Sequence, residues 1–545
     1  MSPAKKLSTD PPVWPVQLAP AASIDPPVQD DAPWIVALNG VPRARVSGDV
    51  AAVLRTVDGV KGPEHVAEQL GEPWTARDVT GVVEQLAGTR IFDGGTHRAK
   101  VRWVQFRAPL TVQFTLFNPT VFLYSLRPVV AALVRREVLV LAALLVLGGM
   151  VGLSTAGHEI LRVLSTPLPL EAYLGVAAAM FASTLLHELG HGLALAYFGG
   201  QPRRIGIMLF YLSPAFFCDV TDGWRLPSRK QRVLVALAGP MVHLGLGSAA
   251  LSLQGFMTAS TAKDGVLLYG VLCYCVAVLN LFPFIKLDGY VALMSALDVP
   301  YLRRKSMDAM GDLVRVHVFG ARHSLPKRGL LPWFGLASFV AGLAFMAIGF
   351  QRLVPVFLQF GFAGHLVVAA VLLLLLALVS ASIVRFFLAA ARNGSPLWRR
   401  VLVGAAGMGV LAVILAAVPV TSSQVAGYTL VNGRLNIVIP VGSTLAKLAE
   451  GDRVSLQSQG LVIHRELGMA TIGSLPPSLS KAPLEALVPV TFGGLAVPAL
   501  SYDADVRASG YLPSSGRAEI TSHVQLSLGA WLWKAISTSP LWPGD

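Results

Sequence analysis

Leu185–Gly200 reads LLHELGHGLALAYFGG, and its H-E-x-x-H core is His187, Glu188 and His191. Residues four apart lie on one face of a helix, so both imidazoles can converge on a single metal ion. Glu188 stands beside them, where it can hold or deprotonate a water that the metal activates. From Leu170 to Phe198 the chain is almost wholly apolar apart from Glu171 and this motif. Ionisable side chains in such a span are costly and mark function by default. The extra histidine of an H-x-x-G-x-x-H extension is absent, because Gly192–Phe198 reads GLALAYF. A third ligand must come from elsewhere in the chain.

Composition sets the surroundings of the motif. Of 545 residues, 54% are hydrophobic and 14% charged, and the mean hydropathy is +0.60. That is the composition of a membrane protein. The net charge is nonetheless +13, so basic residues must gather outside the apolar spans. Cys218, Cys273 and Cys275 are too few for a disulfide framework and read as small hydrophobes. Two lysines near the N-terminus have no apolar run behind them, so no cleavable signal peptide is expected and the N-terminus is placed in the cytoplasm.

Residues 1–31, rich in Pro, Ala and Asp, read as a disordered lead-in. Residues 32–97 read as a small soluble domain. WIVALNG and RARVSG suggest strands around an Asn-Gly turn, and three short amphipathic helices follow. Thr75 with Asp78 makes a capping-box start for the third helix, and RIFDGG could close a small wing. The membrane part covers residues 135–420. Spans of about 20 apolar residues are expected near 138–155, 171–198, 233–255, 265–290, 332–351, 363–390 and 401–420. Ile205–Phe217 is apolar but short and reads as a re-entrant or interfacial segment. Asp219 and Asp222 read as the start of a solvated turn before Trp224. Residues 421–545 form a β-rich part with an Asn432-Gly433 turn. The expected fold is therefore mostly α: a polytopic membrane protein of about seven transmembrane helices, with a small N-terminal winged-helix-like domain and a C-terminal β-rich domain.

Basic residues set the orientation. Arg203, Arg204, Arg225, Arg229, Lys230 and Arg232 lie between spans two and three, and a second cluster follows span four. Such connections face the cytoplasm. Seven spans then carry the C-terminal domain to the extracytoplasmic side. Topology accounts for these charges, and nothing in them calls for nucleic acid.

A third-ligand candidate lies in Asn280-Leu-Phe-Pro-Phe-Ile-Lys-Leu-Asp-Gly-Tyr290, where Asp288 is expected at the cytoplasmic end of span four, level with His187 and His191. Two histidines and a carboxylate leave one position on tetrahedral zinc for water, as a catalytic site requires. The Asp288-Gly289 pair also suits a simple turn at a helix end.

H-E-L-G-H in one helix and N-x-x-P-x-x-x-x-D-G in a later one resemble the site-2-protease type of intramembrane zinc metalloprotease. So does AGPMVHLGLG (Ala238–Gly247) between them. NLFPFIKLDGYVALMSALDVPYLRRKS and FCDVTDGWRLPSRKQRVLVALAGP resemble the bacterial peptide zinc metalloprotease branch, and the resemblance covers about residues 170–310. It implies zinc (Zn2+) held by His187, His191 and Asp288, Glu188 as catalytic base, and Asn280 positioning the substrate or the developing oxyanion. Where that family's A-G-P helix often carries Asn, this chain has His243, read as a packing or hydrogen-bonding residue. Residues 33–95, through RARVSGDVAAVLRTVDG and the helices after it, resemble the PqqD-like peptide-recognition domain. In that family a leader peptide adds as a strand to the sheet edge. GRAEITSHVQLSLGAWLWKAI near the end resembles the closing region of membrane-fusion adaptor proteins.

Together these readings predict a membrane zinc metalloendopeptidase that removes the leader of a ribosomally made, modified peptide near the cytoplasmic leaflet. Its partners would be the lipid bilayer, the peptide or a membrane-anchored protein, and an ABC transporter or peptide-modifying enzymes. Cleavage of a membrane-anchored regulator is the alternative enzymatic role. A peptide-export or immunity component on a protease scaffold is the non-enzymatic one. No G-x-x-x-x-G-K-[ST] motif is present to power transport.

Overall fold

The computed structural model describes residues 14–20, 22–27, 33–38, 41–87, 89, 91–92, 104–107, 111–210, 213–320, 329–358, 361–441, 448–508 and 512–530. The chain divides into two compact units. The first comprises 1–150, 178–252 and 272–300, and the second 151–177, 253–271 and 301–545.

The N-terminal domain has strands β1 (Ala22–Asp25), β2 (Trp34–Leu38) and β3 (Val41–Val46), antiparallel in the order β1-β2-β3. Helices α1 (Gly48–Thr56), α2 (Pro63–Leu70) and α3 (Ala76–Ala87) follow. Val36, Leu54 and Ile91 fill one part of its core, and Val53, Val66 and Val79 another. The capping box is present: the Asp78 amide donates to Thr75 Oγ1 (3.3 Å) and the Thr75 amide to Asp78 Oδ2 (3.1 Å). Two details differ from the sequence reading. Part of the expected lead-in is structured, because Ala22–Asp25 pairs with β2 and Val16 fills an apolar gap beside Val57 and Val83. Ile91 and Phe92 of the expected wing form a turn, and residues 93–100 lie outside the described residues.

The chain continues through β4 (Val104–Arg107), β5 (Thr111–Phe117), α4 (Thr120–Ser125), α5 (Arg127–Leu133), α6 (Arg136–Thr155), α7 (Gly157–Ser165), β6 (Leu168–Pro169) and α8 (Leu170–Tyr197). Then come β7 (Ile205–Phe210), β8 (Ser213–Cys218), α9 (Arg229–Leu253), α10 (Thr261–Asn280), α11 (Asp288–Leu297), α12 (Leu302–His317), α13 (Leu331–Leu358), α14 (Gly361–Arg392) and α15 (Leu397–Ala417). Among the described residues seven helices are long and apolar enough to cross a membrane: α6, α8, α9, α10, α13, α14 and α15. Leu141, Leu147, Leu373, Leu376 and Val413 stay exposed along them, a surface suited to lipid.

The expected fourth span is corrected. It ends at Asn280 rather than near 290, because Pro283 lacks the N–H that a continuing helix needs. Asp288 therefore opens a separate helix, α11. The short apolar segment after α8 is a β-hairpin, β7–β8, within a sheet ordered β4-β5-β7-β8. Strands β4 and β5 were not foreseen, although TVQFTLF alternates with the period of a strand.

In the first unit the N-terminal domain is pinned beside α11. Asp298, left-handed at φ 55°, accepts a hydrogen bond from Arg232 (2.7 Å) and pairs with Arg45 of β3 (3.4 Å) and Arg229 (3.6 Å). Arg45 Nε donates to the Trp224 carbonyl (3.2 Å), and the Arg45 guanidinium lies over the Trp224 ring. Arg225 donates to the Pro26 carbonyl (2.7 Å). Asp219 and Asp222 do not start a solvated turn. Asp219 accepts from Arg204 Nε (3.0 Å), and buried Asp222 accepts from the Gln201 amide (2.8 Å) and Arg225 (3.3 Å). Burial opposes charge on Asp219, but hydrogen bonds from Thr221 and Arg204 outweigh it and hold the carboxyl below its ordinary range.

The second unit carries the β-rich part: β9 (Pro419–Val431), β10 (Arg434–Pro440), β11 (Arg453–Gln457), β12 (Glu466–Ile472), β13 (Ser478–Pro483), β14 (Val490–Thr491), β15 (Ala496–Ala508) and β16 (Ser515–Ser527). The order β10-β9-β16-β11-β12-β15, with β15 pairing back to β10, closes a six-stranded barrel, and β13 adds to β15. Tyr428, Ile437, Val454, Leu456 and Ala518 fill it. Asn432 and Gly433 both take positive φ (51° and 78°), the geometry of a two-residue hairpin turn. The barrel is stitched to α7 and the start of α8. The Ile463 amide donates to the Leu164 carbonyl (3.1 Å), Tyr173 Oη donates to the Pro489 carbonyl (2.9 Å), and β14 pairs with β6. The last residues of the adaptor-like stretch, 531–536, lie outside the described residues.

Removing the Asp298 carboxylate leaves the buried Arg232 guanidinium without its anion, which is strongly unfavourable. Asp298→Ala is expected to lower the unfolding temperature in detergent and to speed hydrogen exchange in β3, whereas exposed Asp308→Ala should change neither.

Candidate metal centre

Helix α8 places His187 and His191 one turn apart, both 5% exposed, and Asp288 reaches them from the first turn of α11. His187 Nε2 lies 3.2 Å from His191 Nε2 and 3.0 Å from Asp288 Oδ2, and His191 Nε2 lies 3.3 Å from Asp288 Oδ1. Zinc bonded to N and O at about 2.0–2.2 Å sets tetrahedral ligand–ligand edges of about 3.3 Å. Each ring nitrogen stands at about such a separation from the other and from one carboxylate oxygen of Asp288.

Hydrogen bonds fix which atoms face inward. His191 Nδ1 is 2.7 Å from the Val235 carbonyl. A carbonyl only accepts, so Nδ1 carries the proton and Nε2 turns a lone pair inward. Asp288 Oδ2 is buried with no hydrogen-bond partner, despite its distance from His187. His191 Nε2 and Asp288 Oδ2 thus turn electron pairs into a small gap that His187 Nε2 also borders, an arrangement that a shared cation relieves. Gly239 of the A-G-P segment supplies the gap. A Cβ there would lie 2.3 Å from His191 Nε2 and 2.6 Å from His187 Nε2. Gly289 has a comparable task, since a Cβ there would meet the Leu281 carbonyl at 2.1 Å and push α11 away from the end of α10. The donor set and the space both fit a zinc ion.

Glu188 accepts a hydrogen bond from the Cys218 amide at 2.8 Å. This bond reveals the edge of β8. The Asp219 amide bonds to the Arg204 carbonyl across the hairpin, so by antiparallel alternation Cys218, Phe216 and Pro214 turn their backbone groups away from β7. Among the described residues β8 ends its sheet, and Glu188 stands at one end of this open edge. Burial and the nearby Glu188 and Asp219 charges push the Cys218 thiol up, which disfavours its thiolate.

The structure therefore brings His187, His191 and Asp288 together with Glu188 alongside. Asn280 is the half-buried last residue of α10 and makes no hydrogen bond to these four. Sequence reasoning missed the Val235 carbonyl and the Cys218 amide, since backbone groups leave no trace in residue identity. The A-G-P triplet was the available signal for Gly239.

Comparison with known proteins agrees with this chemistry. Over 116 residues the chain is 30% identical to the "Putative peptide zinc metalloprotease protein YydH" of Bacillus subtilis, covering 21% of this chain and 44% of that protein. Over 191 residues it is 28% identical to the "Putative zinc metalloprotease Rip2" of Mycobacterium tuberculosis, covering 30% of this chain and 72% of the relative. The chain thus spans less than half the length of the first relative. No family model and no solved structure matches.

Gly239→Ala should strip the protein of most of its zinc, because the added methyl fills the gap between the ligand nitrogens. Gly245→Ala, on the same helix but with open space around it, should keep it. Zinc per purified protein by elemental analysis tests both.

Proposed function

We propose that this chain is a membrane zinc metalloprotease of the site-2 type that cleaves a peptide bond near the cytoplasmic leaflet. The observation that carries the reading is the inward convergence of His187 Nε2, His191 Nε2 and the Asp288 carboxylate beside Glu188. The names of both relatives support it. His187, His191 and Asp288 would hold the zinc. When bound, it supplies Lewis acidity, polarising the scissile carbonyl and bringing the pKa of water toward about 7. Glu188 takes the proton of the attacking water and passes it to the leaving amine.

The substrate lies extended along β8. A peptide amide inside a helix is shielded, whereas a strand added to an open sheet edge presents its backbone. Phe216 offers both an N–H and a C=O to that strand; Pro214 offers only a C=O. Glu188, already bonded to the Cys218 amide, stands where such a peptide would pass. The basic connections support a cytoplasmic side for this face and an extracytoplasmic C-terminal domain. The PqqD-like resemblance of residues 33–95 supports a ribosomally made leader as the segment recognised, with leader removal as the outcome. The adaptor-like stretch GRAEITSHVQLSLGAWLWKAI supports a second reading, a peptide-export or immunity component built on the same scaffold.

The deciding measurement is cleavage of a membrane-anchored or leader-bearing precursor by purified protein in liposomes. Glu188→Gln should keep its zinc and lose activity by about 10²–10⁴-fold; His191→Ala and Asp288→Ala should lose zinc as well. Zinc in both wild type and Glu188→Gln, with no cleavage by either, would favour the second reading. A finer test addresses the strand edge. Phe216→Ala removes a ring that packs on Phe181 but keeps the outward N–H. Phe216→Pro removes the N–H too, and should cleave more slowly than Phe216→Ala at equal zinc content.

A further inference from the structure

His243 is 1% exposed on α9, and its Nδ1 lies 3.0 Å from His187 Nδ1. The two rings are 5.0 Å apart at 61°, so neither stacks flat on the other. Among the described residues its buried Nε2 has no hydrogen-bond partner. An imidazole that only filled space would be a poor choice here, because an unpaired buried nitrogen costs more than an apolar side chain of the same volume. The contact with His187 is what the residue gains in return.

One proton serves the two Nδ1 atoms. If His187 Nδ1 carries it, His187 Nε2 turns a lone pair toward His191 and Asp288. If His243 Nδ1 carries it, the proton of neutral His187 sits on Nε2 and points into the ligand set. We propose that His243 is a positioning residue that accepts the His187 Nδ1–H, and so fixes the tautomer and ring plane in which His187 can bind zinc. The inference rests on the zinc reading above. His243 does for His187 what the Val235 carbonyl does for His191. Outer partners of this kind typically change metal affinity by about 10–100-fold.

The role resides in one atom, which makes it testable by substitution. The side-chain oxygen of Asn stands as many bonds from Cα as His Nδ1 does. The oxygen of Gln stands one bond further out, like His Nε2. Leu fills similar volume with no acceptor. Zinc dissociation constants from chelator competition should be near wild type for His243→Asn and about 10–100-fold weaker for His243→Leu and His243→Gln. The visible spectrum of the cobalt-substituted protein should be preserved in His243→Asn alone. A His243→Leu protein that binds zinc as tightly as wild type overturns the proposal, as does equal loss in all three variants. Should the variants not fold, nitrogen-15 histidine spectra of the zinc-loaded wild type decide. A proton on His187 Nδ1 and on His243 Nε2 is expected, and the reverse tautomer at His243 overturns the role. Wild type that binds no zinc would instead bring down the metal reading beneath it.

Discussion

The arrangement depends on how closely α9 can approach α8. At the crossing each helix presents a glycine. A Cβ on Gly190 would press on Val242 and the Ala238 carbonyl at 3.1 and 3.2 Å, and one on Gly239 would enter the space between the ligand nitrogens. In a membrane no hydrophobic force drives helices together, and small residues that let backbones meet take over that task. Here the close approach also has a chemical consequence. It brings a backbone carbonyl of α9 within hydrogen-bond distance of His191, which a bulkier interface would prevent.

One face of α9 organises the whole centre. Arg232, Val235, Gly239 and His243 follow one another at spacings of three, four and four residues, so they share a stripe. Val235 orients His191, Gly239 leaves the gap, and His243 meets His187. Arg232 holds Asp298 at the far end of α11, the helix whose first residue is Asp288. The third ligand, about a hundred residues away in sequence, is thus positioned from the same helix that orients the first two. Arg45 adds the N-terminal domain to this joint through Asp298.

Much of this was legible beforehand, for identifiable reasons. The seven spans follow from long apolar runs, and the capping box at Thr75 and the Asn432-Gly433 turn are local signals that nothing overrode. His187 and His191 follow from helical periodicity. Asp288 was found as a ligand candidate but put on the wrong element, because the apolar run through Phe284 and Ile285 masks the break at Pro283. The buried ion pairs of Asp219 and Asp222 were missed because sequence shows a charge but not the arginine folded against it. β4 and β5 escaped because a short alternating stretch stands between a small domain and a dominant apolar signal. The barrel's closure through β10 and β15 is a long-range pairing that no local pattern announces.

The edge of β8 carries a cost of its own. Backbone that is neither helix nor closed sheet is expensive near lipid and persists where it lines a cavity or meets a partner. Helices α8 and α9 satisfy their own amides, as do the paired strands β5 and β7. β8 alone of the hairpin keeps outward donors and acceptors, and one donor is met by the carboxylate of Glu188. A carboxylate that served only to cap a strand would need no neighbouring pair of histidines. Those histidines, conversely, could hold zinc without a strand beside them. On the proposed function, an extended peptide on that edge would run past Glu188, which joins the two features in one site.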